Sequence, residues 1–322
     1  MSAVTEQSHT TGTSVLDEVG NNIIHHVSNS SLKHPLINLP EKFRVEEGES
    51  WFSFLEMMSV TKHVLMLWIV AVILSTAIIL PIQKYMKKEK PIPSGWMNII
   101  ETIVSFIRDS IVKPNIGSKF TNTWTPMILT FFFFILFANG IGLIPVFDLL
   151  GVLNRFLFQV PASDNHNLIN SLLHGGVTAT ANFNVTAGLA VITFFSIMIA
   201  GSHAHGFINH WKNLVPHGLA WPVYIILIPI EIIGMFVKPF ALTMRLAANM
   251  TGGHIAILAI LSFMAIFADM FHSTATGLSV ALFSIPMATA ISGLEIIVVL
   301  VQAYVFTLLS AVFIGMAINV HH

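Results

Sequence analysis

From residue 222 to about 269, and again from about 277 to 319, the sequence is almost unbroken apolar chain. At about 1.5 Å per residue the first run would extend on the order of 70 Å as one helix, against a hydrocarbon layer about 30 Å thick. Each run is therefore either two short spans or one steeply tilted helix. Neither contains a polar turn long enough to join two spans, which favours a tilted, kinked helical hairpin with Pro229, Pro239 and Pro286 supplying bends. The rest of the chain belongs in lipid too. Hydrophobic residues make up 54% of it and charged residues 10%, with mean hydropathy +0.77, whereas a soluble domain carries roughly 25% charged residues. The expected fold class is an all-α polytopic membrane protein.

Composition also removes several functions. A net charge of −1 gives no footing for nucleic acid, and the absence of cysteine excludes disulfides, thiolate metal sites and thiol chemistry. No phosphate-binding loop is present, so the chain has no nucleotide site of its own. No cofactor is expected. The first thirty residues have neither the apolar core of a signal peptide nor the Arg-rich, acid-poor make-up of a transit peptide, which leaves insertion to the first span.

Two regions are expected: a polar extramembrane segment, 1–60, and a membrane domain, 61–322. The first span is expected at about 62–82. Lys84, Lys87, Lys88 and Lys90 follow it closely, which puts that loop in the cytoplasm and the N-terminus outside. Residues 94–113 are too polar to span, yet their apolar positions recur at helical spacing, as in a helix lying in the interface. Spans are expected at about 123–147 and 183–201, separated by an outer loop of few basic residues. The hairpin, about 222–269 and 277–319, then returns the C-terminus to the cytoplasm.

Arg245 lies within the first apolar run, with no acidic residue within eight positions on either side. Its guanidinium cannot shed a proton, and placing it at bilayer depth costs roughly 2.5–3.5 kcal/mol on insertion scales. Such a residue faces a partner, a bundle interior or a water-filled path. At 100° per residue, Glu231, Lys238 and Arg245 fall within about 40° of one another, and Asn249 within about 40° of Arg245. On the second helix Glu295 and Gln302 are seven residues apart and within about 20°. Ionisable side chains arrayed at membrane depth are the raw material of a proton relay.

These residues carry a resemblance. Lys238-Pro239, Arg245-Leu246-Ala247-Ala248-Asn249-Met250-Thr251-Gly252-Gly253-His254, Glu231 fourteen positions before the arginine, Leu294-Glu295 and Val301-Gln302-Ala303-Tyr304 resemble the a-subunit family of F-type ATP synthases. The segments Phe137-Ala138-Asn139-Gly140-Ile141-Gly142-Leu143-Ile144-Pro145 and Asn182-Phe183-Asn184-Val185-Thr186 match it more weakly. The likeness covers most of the chain from about residue 60, and the N-terminal segment is longer than the family's minimum.

The resemblance implies a proton-translocating stator of a rotary enzyme. Its partners would be a ring of c-subunits, peripheral-stalk b-type subunits, the soluble ATPase head indirectly, and the lipid bilayer. It implies that Arg245 is the family's essential ring-facing arginine, that His254 and Glu295 belong to the outer half-channel, and that Glu231 belongs to the cytoplasmic one. Asn249 and Gln302 match polar positions near the arginine. Lys238 and Asn139 are accessory candidates. The lysine-rich first loop and the missing transit peptide point to a bacterial plasma membrane rather than a mitochondrial inner one.

Competing readings exist for the same residues. Arg245 could be paired with Glu231 or Glu295 inside the bundle, and either glutamate could be a polar contact between helices. Lys238, beside Pro239, reads as a snorkelling or helix-orienting residue. His203, His205, His210 and His217 share one segment but form no zinc pattern, and read as a solvated or membrane-surface loop. Asn184-Val185-Thr186 fits a glycosylation sequon but reads as helix-start chemistry. A secondary transporter or ion channel with an intramembrane charge relay is the alternative function, although a transporter would show a repeated half or paired broken helices. A metal-dependent oxidoreductase would need inward-facing histidines on several spans.

Overall fold

The computed structural model describes residues 15–27, 62–87, 93–143, 178–212 and 221–319, and every regular element among them is helical. Helix α1 is Val15–Val27. Helix α2 comprises Lys62–Leu74, a π turn at Ser75–Ile79, and Leu80–Met86. Helix α3 likewise joins Trp96–Phe106, a π turn at Ile107–Val112, and Lys113–Ile116. The remaining elements are α4 (Thr121–Leu143), a 3₁₀ turn (Ala179–Ala181), α5 (Phe183–His205), α6 (Phe207–Lys212), α7 (Trp221–Met270) and α8 (Thr274–Ile318).

Five of these, α2, α4, α5, α7 and α8, are long and apolar enough to cross a membrane. The chain is an all-α, multi-pass membrane protein. Both long apolar runs form single helices, of 50 and 45 residues, that continue through Pro229, Pro239 and Pro286. The turn between them is tight: the Ser273 N–H donates to the Ala268 carbonyl at 3.0 Å and the His272 N–H to the Asp269 carbonyl. Gly277 seats directly on Ala268, because a Cβ there would lie 2.8 Å from the Ala268 methyl and 2.9 Å from the Met264 carbonyl oxygen.

Lipid tails are as apolar as leucine, so helices in a bilayer associate through close packing of small residues and interhelical hydrogen bonds. Helix α8 is the central strut and follows that rule. Its buried stripe carries Ala288, Ala303, Ser310, Ala311 and Gly315 at helical spacing. The main core gathers α3 (Ile107, Ile111, Ile116), α4 (Ile128, Phe131, Ile135), α5 (Leu189, Ile197), α7 (Leu242, Leu246) and α8 (Phe306, Ile314). A smaller cluster pins α2 to the far end of α4 and to the 3₁₀ turn through Met66, Val70, Ala138 and Ala179.

Helix α3 packs its buried isoleucines inward and leaves the Arg108–Asp109 ion pair exposed, with its nearest N–O distance 3.0 Å. It also marks one end of the bundle. Gly315 of α8 packs on the Asn115 backbone with no room for a Cβ, and Asn319 Nδ2 donates to the Asn115 carbonyl at 3.2 Å. His205, in the last turn of α5, is 2.8 Å from the Ile318 carbonyl through Nε2. That end therefore collects the start of α4, the close of α5 and the close of α8. The opposite end collects the close of α4, the 3₁₀ turn and the start of α5.

Within the polar 1–60 segment, α1 is an amphipathic helix that contacts α7. One feature departs from expectation. The histidine-rich segment is mostly helical, since α5 runs through His203 and His205 and ends at Gly206, whose φ of +83° a residue with a Cβ adopts at a cost. His210 is buried in α6 rather than solvated: its ring fills the space beside Gly201, where a Cβ would collide with it. Residues 144–177 and 213–220, including His217 and most of the expected outer loop, lie outside the described residues.

Burial pushes the His210 imidazole below its ordinary pKa, assisted by repulsion from His205, and its Nε2 has no hydrogen-bond partner among the described residues. A histidine held below its unfolded pKa contributes stability that is present at neutral pH and is lost as pH falls below about 6.5. Hydrogen-exchange protection of residues 207–212, corrected for the intrinsic pH dependence of amide exchange, is therefore expected to fall between pH 7.5 and 5.5 in the detergent-solubilised protein. His210→Gln should flatten that dependence.

Candidate functional site

Arg245 and Asn249 sit one turn apart on an exposed face of α7, while Leu242 and Leu246 hold the other face in the core. The exposed arc around Arg245 includes Val237, Ala241, Met244 and Ala248, and α8 exposes Leu294, Ile297 and Val301. Among the described residues the only salt bridge is Arg108–Asp109, so Arg245 is paired with neither Glu231 nor Glu295. A permanent cation is thus held at an exposed position with no acidic partner among the described residues.

Lys238 turns away from that surface. Its Nζ lies 5.8 Å from the centre of the Phe313 ring on α8, a cation–π contact that ties the two hairpin helices. Pro239 is buried beside it, and its carbonyl, which follows a missing N–H in the ladder, accepts the Thr243 hydroxyl at 3.1 Å. Glu231 is half-buried two turns earlier. Gln302 is buried on α8, 5% exposed.

The second cluster is enclosed. Glu295 is the sole charged residue of α8 and is only 7% exposed. It packs against Gly253 of α7 so closely that a Cβ on Gly253 would overlap Oε1 of the carboxyl group. His254 is the next residue, and its Nε2 lies 2.9 Å from the Thr178 hydroxyl in the approach to the 3₁₀ turn. Thr178 in turn presses on α4 where Gly142 has no side chain, and a Cβ on Gly142 would overlap the Thr178 hydroxyl. One step further, the Thr180 hydroxyl donates to Oδ1 of Asn139, a fully buried residue of α4.

Four elements therefore meet around Glu295 and His254: α4, the 3₁₀ turn, α7 and α8. The meeting point lies at the end of the bundle opposite α3. Two glycines, Gly142 and Gly253, make the approach possible by leaving out the atoms that would block it. His254 bonds Thr178, Asn139 bonds Thr180 of the same short segment, and Glu295 packs on Gly253 beside His254, whereas Arg245 and Asn249 are exposed. Thr178 and Thr180 were not singled out from sequence. They sit in a short run, Thr178-Ala179-Thr180-Ala181, that carries no signal beyond an ordinary polar turn.

The start of α5 behaves as helix-start chemistry. Asn182 caps it by accepting the Asn184 N–H at 2.9 Å, and Thr186 bonds back to the Phe183 carbonyl at 2.9 Å. No group of three His, Asp or Glu side chains placed to hold a metal occurs among the described residues.

The chain resembles known proteins along most of its length. A family model described as ATP synthase A chain matches residues 64–315. ATP synthase subunit a 2 of Chlorobium luteolum is 38% identical over 310 residues, covering 94% of this chain and 76% of that relative. ATP synthase subunit a of Anaeromyxobacter dehalogenans strain 2CP-C is 36% identical over 318 residues, 95% of this chain and 72% of its own length. A third relative, ATP synthase subunit a of Anaeromyxobacter sp. strain Fw109-5, is 38% identical over 268 residues, 82% of this chain and 55% of the relative.

Proposed function

The chain belongs to the ATP synthase A chain family, and on that premise we propose that it is the proton-translocating stator of a rotary F-type enzyme. It is a membrane subunit of a multi-subunit complex that makes or consumes ATP elsewhere. The observation that carries the proposal is the exposed, acid-free placement of Arg245 on α7.

In this reading a ring of small apolar subunits lies against the exposed face of α7 and α8, and each ring subunit brings a carboxyl group to the depth of Arg245. A carboxylate entering lipid must be neutral, since burying an isolated ionised group is prohibitive. Beside a fixed cation the same group is held ionised. Arg245 thus releases the proton from each arriving carboxyl and keeps protons from passing directly between the two access paths. Arginine suits the role because its charge cannot be titrated away in a low-dielectric site.

The enclosed pair His254 and Glu295 forms the outer path in this reading, and Glu231, nearer the start of α7, belongs to the cytoplasmic path. The burial of Glu295 beside Gly253 supports the role, since it places the chain's one α8 carboxyl inside the bundle rather than facing lipid. Asn249 and Gln302 supply hydrogen bonds around the arginine. The membrane is a bacterial plasma membrane, with the lysine-rich loop after α2 on the cytoplasmic side.

Glu231→Gln tests the cytoplasmic path, since it removes a titratable group and keeps its shape. ATP-driven proton pumping in inverted vesicles is expected to slow while the complex still assembles. Unchanged turnover over a range of cytoplasmic pH would reduce Glu231 to a polar contact.

A further inference from the structure

We infer that Thr178 is a positioning residue for His254, a hydroxyl that fixes the imidazole in one orientation at the end of the bundle opposite α3. The inference rests on the proposed role of His254 in proton translocation. Its physical basis is the way Thr178 is pinned. The residue is 1% exposed, and its backbone is held in an extended conformation where its carbonyl accepts the Ala181 N–H at 3.1 Å and opens the 3₁₀ turn. On one side it presses against Gly142 with no room for a Cβ. On the other its Oγ1 lies 2.9 Å from His254 Nε2.

A hydroxyl both donates and accepts. It therefore bonds Nε2 whether that nitrogen carries a proton or a lone pair, and it holds the ring in one orientation through a full protonation cycle. A valine in the same space can do neither. The anchoring is long-range: α4 and the turn, which join the site from outside the hairpin, set the ring of a histidine on α7. The same turn bears Thr180, whose hydroxyl bonds Asn139. Two hydroxyls of one short turn thus bond separately to α4 and to α7.

The ionisable groups around this point are few. Helix α4 and the turn carry none, α8 contributes only Glu295, α5 has its histidines at the far end, and α2 brings His63, itself 3% exposed. Among the described residues, a change in pH response at this end therefore reports chiefly on His254, Glu295 and His63.

The experiment measures ATP synthesis and ATP-driven pumping in vesicles containing the assembled complex. Thr178→Val keeps the shape and removes the hydroxyl, Thr178→Ala only removes atoms, and Thr178→Ser keeps the hydroxyl. Loss of a hydrogen bond of ordinary strength corresponds to a rate loss of about three- to tenfold. That loss is expected for Val and Ala. Synthesis in these variants should also need a lower outer pH to reach half its maximum, and Ser should restore both rate and profile. Wild-type rates with an unchanged pH profile in Thr178→Ala would overturn the inference, as would equal impairment in the Ser and Ala variants. Arg245→Ala is measured alongside: if it pumps normally, the stator reading itself fails, whereas its loss together with a silent Thr178→Ala sinks only the role of Thr178.

Discussion

Arg245→Ala is expected to abolish ATP-driven proton pumping while leaving the complex assembled. Without the guanidinium, a ring carboxyl reaching the interface has no cation to favour its ionised form, and the barrier between the two access paths is lost. The structure makes assembly a fair expectation, because Arg245 lies on an exposed face and makes no ion pair within the described bundle. Arg245→Lys is the sharper test. An ammonium in an apolar site can neutralise, whereas a guanidinium keeps its charge. Severe impairment of the lysine variant is the expected result, read as proton uptake by inverted vesicles. Normal pumping would contradict the requirement for an untitratable charge.

Exchanging His254 and Glu295 is expected to show that they act as one unit. The two lie on different helices, and Glu295 packs on Gly253, the residue next to His254 in α7. Single changes, His254→Glu or Glu295→His, place like groups together and should impair pumping strongly. The double exchange restores one acid and one base within proton-transfer reach, and a relay is largely indifferent to which helix carries which. A substantial part of the activity should return, giving a large favourable coupling in the double-mutant cycle. Additive losses in an assembled complex would mean that the two residues act separately.

Much of this architecture is legible because lipid imposes simple rules on sequence. An apolar run of forty-odd residues with no polar turn has few alternatives to a single long helix, and α7 and α8 are each one. Arg245 is conspicuous for the same reason, as a charge with no local means of compensation. Its exposure and lack of an acidic partner were not legible, since Glu231 and Glu295 were both available in sequence as counter-ions. The structure decides the point by turning Glu295 into a separate enclosed cluster.

Other features depend on contacts between distant residues, which no periodicity encodes. Thr178 meets His254 across 76 positions, and it fits there because Gly142 of α4 has no side chain. His210 is buried because Gly201 leaves room for its ring, whereas its neighbours read as a polar loop. Helix α1 is amphipathic, but sequence offers no sign that its partner is α7. In each case the local residues are compatible with several environments, and packing against a remote surface selects one.

The central claim is that Arg245 faces the carboxyl belt of a rotating ring. The chain contains no cysteine, so introduced thiols are unique within it. Ala241→Cys and Ala248→Cys place thiols about one helical turn from Arg245 on the exposed face of α7. Each should form a disulfide with a cysteine introduced beside the ring carboxyl in the assembled complex, and the cross-link should block rotation. Failure of every such pair, in complexes shown to contain the ring, would contradict the account.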